Sequence, residues 1–142
     1  MMFDDAVANF PAEFMNINPP NVPYTPWHLL EHLRITQWDI LEYSRDPKHV
    51  SPEWPKGYWP AKDAKADQAT WDQTVAQFRE DLQAMCDLVA DADNDLFTQI
   101  PGGEAGHTLL REAVLVADHN AYHIGEFGIL RQVMGTWPNN HR

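Results

Sequence analysis

The sequence predicts an all-α fold. Three long stretches carry apolar residues at helical spacing, clusters of proline and glycine separate them, and no segment sustains the two-residue alternation of a strand. The 142 residues are read as one domain, 1–142.

Residues 1–25 are mostly irregular. Asp4 or Asp5 is placed to cap a short helix through Phe10, which Pro11 stops, and Pro19, Pro20 and Pro23 exclude a long helix before residue 24. The first long helix starts at Thr25-Pro26: threonine caps well, and proline suits the first helical position, where its missing N–H has no partner anyway. Leu30, Leu33, Ile40 and Leu41 give it a buried side, and it should end near Ser44, before Asp46-Pro47.

Residues 45–68 form a long connection containing Pro47, Pro52, Pro55 and Pro60, with Trp54, Tyr58 and Trp59 among them. Such a loop is either a cover packed on the core or the lid of a pocket. In the second long helix, Thr70 and Gln73 have capping-box spacing, and Trp71, Val75, Phe78, Leu82, Met85 and Val89 form one stripe. Cys86 flanks that stripe and reads as a small core residue. Pro101-Gly102-Gly103 then breaks the chain. A third long helix runs from about Thr108 to Met134, and Gly135 stops it.

Charge narrows the functions. Ten Lys+Arg against 21 Asp+Glu leave a net charge of −11, which disfavours nucleic acid and anionic membrane surfaces but allows a metal ion or a neutral or cationic small ligand. The single cysteine excludes an intramolecular disulfide and a cysteine-based zinc framework. The acidic N-terminus is unlike a signal peptide, and no apolar run reaches membrane length, so a cytoplasmic location is expected.

The chemistry lies in histidine. His119 and His123 are four residues apart on the third long helix, which puts both imidazoles on one face, able to share a metal ion. His28 and His32 repeat the spacing on the first. His28 falls in the first turn, near solvent, so His32 is the better ligand. Three imidazoles with an open fourth position form a catalytic zinc arrangement, which lowers the pKa of bound water towards ~7. Imidazole also suits nickel, iron and manganese, so the divalent ion is not identified. Glu126, three residues after His123, is a candidate fourth ligand, acceptor for an imidazole N–H, or catalytic base. Glu112 reads as a solvated carboxylate, Asp118 faces elsewhere, and His49, His107 and His141 receive no role. No nucleophile with an adjacent base and no phosphate-cradling glycine loop is visible, so any catalysis rests on the metal.

Pro26-Trp27-His28-Leu29-Leu30-Glu31-His32-Leu33-Arg34, Trp38-Asp39-Ile40-Leu41-Glu42, Trp54-Pro55-Lys56-Gly57-Tyr58-Trp59-Pro60, Leu110-Arg111-Glu112 and Ala117-Asp118-His119-Asn120-Ala121-Tyr122-His123-Ile124-Gly125 together resemble the DinB-like superfamily of bacterial stress-associated proteins. The resemblance runs from about Thr25 to Pro138. It implies an up-down-down-up four-helix bundle, often a homodimer, with a divalent metal held by His32, His119 and His123. Some relatives transfer low-molecular-weight thiols or isomerise thiol-linked substrates. The resemblance therefore implies a metal-dependent enzyme of thiol-transferase or hydrolase type acting on an unknown small molecule; the alternative is a non-catalytic metal-binding bundle. The chain departs from the pattern twice. Its first helix is shortened, leaving a groove for a partner subunit or the aromatic loop to fill, and Glu126 stands where similar chains often carry Gln.

Overall fold

The computed structural model describes residues 1–138. His141 lies outside them. The described residues contain four α-helices and no strand: α1 (Phe3–Val7), α2 (Pro26–Arg45), α3 (Gln68–Ala90) and α4 (Leu109–Met134). None is long and apolar enough to cross a membrane.

The start of α2 is as expected. Thr25 accepts the His28 backbone N–H at 3.1 Å, and Pro26 occupies the first turn. α4 begins after its cap Thr108 and ends at Gly135, whose φ of 65° is the left-handed geometry that glycine adopts at no steric cost.

Three local expectations are corrected. α1 stops at Val7, short of Phe10, because Ala8 turns extended and Asn9 takes a φ of 50°, which asparagine tolerates. Asp4 and Asp5 lie inside its first turn rather than at its cap, and Asp5 accepts the Met2 backbone N–H at 2.9 Å. α3 is capped by Asp67, not Thr70: the Asp67 carboxylate accepts both the backbone N–H and the hydroxyl of Thr70, at 2.8 and 2.7 Å. One carboxylate satisfying two donors outcompetes a hydroxyl placed a turn later. Cys86 is exposed, because it sits one residue beyond Met85 and so about 100° around the helix from the buried stripe.

The groove left by the short first helix is partly closed by the N-terminal segment itself. Phe3, Ala6, Val7, Phe10 and Met15 join Leu29, Leu30, Leu33, Trp71, Phe78 and Phe127 in one core. Phe3 stacks on Phe78 with centroids 3.8 Å apart, and Phe10 on Trp71 at 4.9 Å. Burying such a side chain contributes roughly 1.5–3 kcal/mol. The long loop contributes here too: Ala66 lies in the same core, and Trp59 and Ala64 pack against it.

A polar tie divides this core from a second one around Leu41, Met85 and Val116. Buried Gln37 on α2 donates to the Phe78 carbonyl of α3 at 2.7 Å, and Asn120 of α4 donates to Gln37 at 2.8 Å. Since His32 meets His123 while Gln37 meets Asn120, α2 and α4 run antiparallel. Their registration sets the site.

Candidate metal centre

His32 projects from α2, and His119 and His123 from successive turns of α4. One nitrogen from each lies within 4.8 Å of the others. The Nε2 atom of His32 is 3.2 Å from Nε2 of His123 and 3.2 Å from Nε2 of His119.

The outer nitrogens decide what these contacts mean. Nδ1 of His32 lies 2.8 Å from the Tyr58 carbonyl, which can only accept, so His32 carries its proton there and turns a bare Nε2 lone pair inward. Nδ1 of His123 donates to Glu126 Oε2 at 2.6 Å. Nitrogen atoms converging this closely repel one another unless a cation lies among them. One proton bridges two nitrogens; three converging on a buried floor fit a metal ion. The donor set thus suits a divalent ion, with the Tyr58 carbonyl and Glu126 fixing two of the three rings from outside. Nδ1 of His119 is buried with no hydrogen-bond partner.

Burial pushes the His119 pKa down to about 3, helped by the neighbouring His123 and His32, and burial also lowers that of His32. Both rings are therefore neutral near pH 7, the form that binds metal. Glu126 is held below the usual glutamate range, first by its hydrogen bond with His123. Its other oxygen accepts from the Tyr24 hydroxyl, and burial and this carboxylate push the Tyr24 pKa up to about 12.

These shifts predict acid sensitivity of the metal-free protein. Between the unfolded value of 6.5 and the folded value of about 3 for His119, the unfolded chain binds the extra proton. Stability in chelator is thus complete above pH 6.5 and falls as the pH drops through this window. Urea midpoints at pH 7.5 and about 4.5 test this: the His119→Ala variant should lose less than wild type, and equal losses would count against the assignment.

The long loop proves to be both cover and wall. Trp59 stacks flat on the His32 ring, with centroids 4.0 Å apart and planes within 3°. Tyr58 is buried, and its hydroxyl donates to Asp39 at 2.6 Å. His49 contacts the other Asp39 oxygen at 2.7 Å and stays out of the cluster. Between loop, α2 and α4 lies a cavity of about 470 Å³ with the three histidines on its floor.

Two expectations fail here. His28 is buried, not solvated: its Nε2 lies 2.9 Å from the Ala64 carbonyl, so it pins the loop rather than facing the cluster. Glu112 is only 2% exposed and pairs with Arg111, with His107 at 3.8 Å. Seven residues before His119, it lies two turns along the same inward face, a signal the spacing already contained. Asp39 and Thr36, seven and four residues beyond His32, were legible in the same way. Tyr24, in an irregular segment, carried no signal.

No curated protein and no solved structure significantly matches the chain. One family match spans residues 1–127, a stretch holding all three histidines and Glu126. The four helices, the histidine cluster and this match converge: the chain belongs to the DinB superfamily.

Proposed function

We propose that this chain is a metal-dependent enzyme of thiol-transferase or hydrolase type acting on a small molecule, with His32, His119 and His123 as the ligands. One observation carries the reading: the bare Nε2 of His32, held 3.2 Å from two other imidazole nitrogens, sits at the floor of a cavity rather than in a sealed core. A metal that only stabilised the fold would be enclosed by protein. A zinc, nickel, iron or manganese ion there supplies Lewis acidity. The chain's own residues do the rest. His32 is oriented by the Tyr58 carbonyl and the Trp59 ring. With both oxygens engaged, by Tyr24 and His123, Glu126 is best suited to keeping the proton on His123 Nδ1, a positioning role. Metal content by mass spectrometry on untagged protein tests the reading. About one ion per chain is expected; no ion after reconstitution would overturn it.

The bundle is read as up-down-down-up, with α1 and the segment after it in place of the first long helix. The homodimer is supported by exposed apolar residues on the outward face of α4. That face presents Leu110, Val114, Ala121, Gly125 and Ile129 around the single carboxylate Asp118, with Val114 59% and Ile129 66% exposed. Apolar side chains repeated along one exposed helix face suit a partner surface. Light scattering should give twice the chain mass, and Val114→Glu should yield a monomer that keeps its metal. A wild-type monomer would sink this assignment.

A further inference from the structure

The cavity above the histidine cluster carries information about its occupant, and this inference rests on the metal reading above. The mouth is apolar and open to solvent: Trp54 is 72% exposed, and Tyr122 and Leu115 stand exposed beside it. Large aromatic and aliphatic side chains left in water around a concave site favour a ligand that covers them.

Lower down stands Thr36, one turn beyond His32. It is 8% exposed, it lines the cavity, and its hydroxyl has no hydrogen-bond partner in the protein. A hydroxyl on a helix ordinarily bonds back to the carbonyl four residues earlier. Ser44 does so to Ile40 at 2.7 Å, and Thr74 to Thr70 at 3.0 Å. Thr36 does not, so its buried hydroxyl is left without a partner in a residue that lines the cavity, and a ligand atom that reached it would satisfy it.

Charge limits the occupant further. No lysine or arginine lines the cavity, and its one carboxylate, Asp39, is engaged by Tyr58 and His49. In a chain of net charge −11, an anionic group on the ligand body, away from the histidine cluster, would meet no counter-charge.

We propose that the cavity selects a ligand with an uncharged aromatic or bulky aliphatic body, whose polar head reaches both the histidine cluster and the Thr36 hydroxyl. The body packs against Trp54, Tyr122 and Leu115. The head presents one atom to the point where the three Nε2 atoms converge and a second polar atom to Thr36.

Three hydroxamic acids share a head and differ in body, which makes them suitable probes. Binding to the metal-loaded protein is read by calorimetry. Benzohydroxamic acid should bind at least about tenfold tighter than acetohydroxamic acid, and 4-carboxybenzohydroxamic acid should bind more weakly than the benzo compound. Trp54→Ala should narrow the benzo-to-aceto ratio while leaving acetohydroxamic acid unchanged. Thr36→Val should weaken both by a similar factor, about tenfold, at undiminished thermal stability, because no hydrogen bond within the protein is lost. Equal affinity for the two bodies, or preference for the carboxylate, in a protein that holds its metal overturns this inference and leaves the metal reading intact. A protein that takes up no metal overturns both.

Discussion

The His123→Ala variant is expected to lose stoichiometric metal binding. It removes one of three nitrogens that converge on a single point, and no other side chain is close enough to substitute: His28 is held by the loop, His49 by Asp39, and Glu126 lies on the far side of the His123 ring. A complete donor set of four contributes roughly 10–16 kcal/mol, so one ligand accounts for about 2.5–4 kcal/mol, a loss of affinity of roughly 10²- to 10³-fold. Titration with a divalent ion, with circular dichroism as a check on the helices, measures this. His49→Ala should bind as wild type does. Glu126→Gln, which keeps an acceptor at Nδ1 but removes its charge, should fall between them, about tenfold weaker. Full occupancy in His123→Ala would remove the assignment.

The second large effect is expected far from the cavity. Arg131 is fully buried, and no carboxylate pairs with it among the described residues. Its guanidinium instead donates to three carbonyls: Ala6 and Ala8 at 2.9 and 2.8 Å, and Thr136 at 2.8 Å. It also lies over the Trp137 ring, 4.1 Å from the centroid. Burial lowers its pKa from the ordinary arginine value. This one side chain ties the end of α1 to the end of α4, and with it the segment that closes the bundle. Arg131→Met keeps most of the packing but strands three carbonyls in a dry site, so a loss of about 3–5 kcal/mol is expected, a large share of a domain's ~5–15 kcal/mol. Urea unfolding should show it, with early proteolysis before residue 20. Arg131→Lys should recover only part, because an ammonium cannot fork between three acceptors. A loss under about 1 kcal/mol would show that α1 is held by its apolar contacts alone.

The long helices were legible because their signals are local. A cap, a proline at the first position, a 4-3-4 stripe and a terminal glycine each act within a few residues, and the starts of α2 and α4 and the end of α4 follow them. The histidine cluster was legible for a related reason: four-residue spacing makes two histidines one surface patch before any tertiary contact exists. The errors arose where two local signals compete or where position around the helix matters. Asp67 and Thr70 both offer an oxygen at the start of α3, and Cys86 differs from Met85 only by rotation about the axis.

Local pattern in the chain thus decides which segments are helical and which histidines pair. Local spacing also offers Glu126 as the acceptor for the outer nitrogen of His123, three residues before it. It does not decide which nitrogen of His32 faces inward: that choice comes from the Tyr58 carbonyl, 26 residues away. Nor does it reveal that Tyr24 reaches Glu126 across 102 residues, that Trp59 lies on His32, or that Arg131 holds the N-terminal segment across more than 120 residues. Contacts between irregular segments have no sequence period. They exist only once α2 and α4 are packed in one register, and that packing turns three spaced histidines into one site.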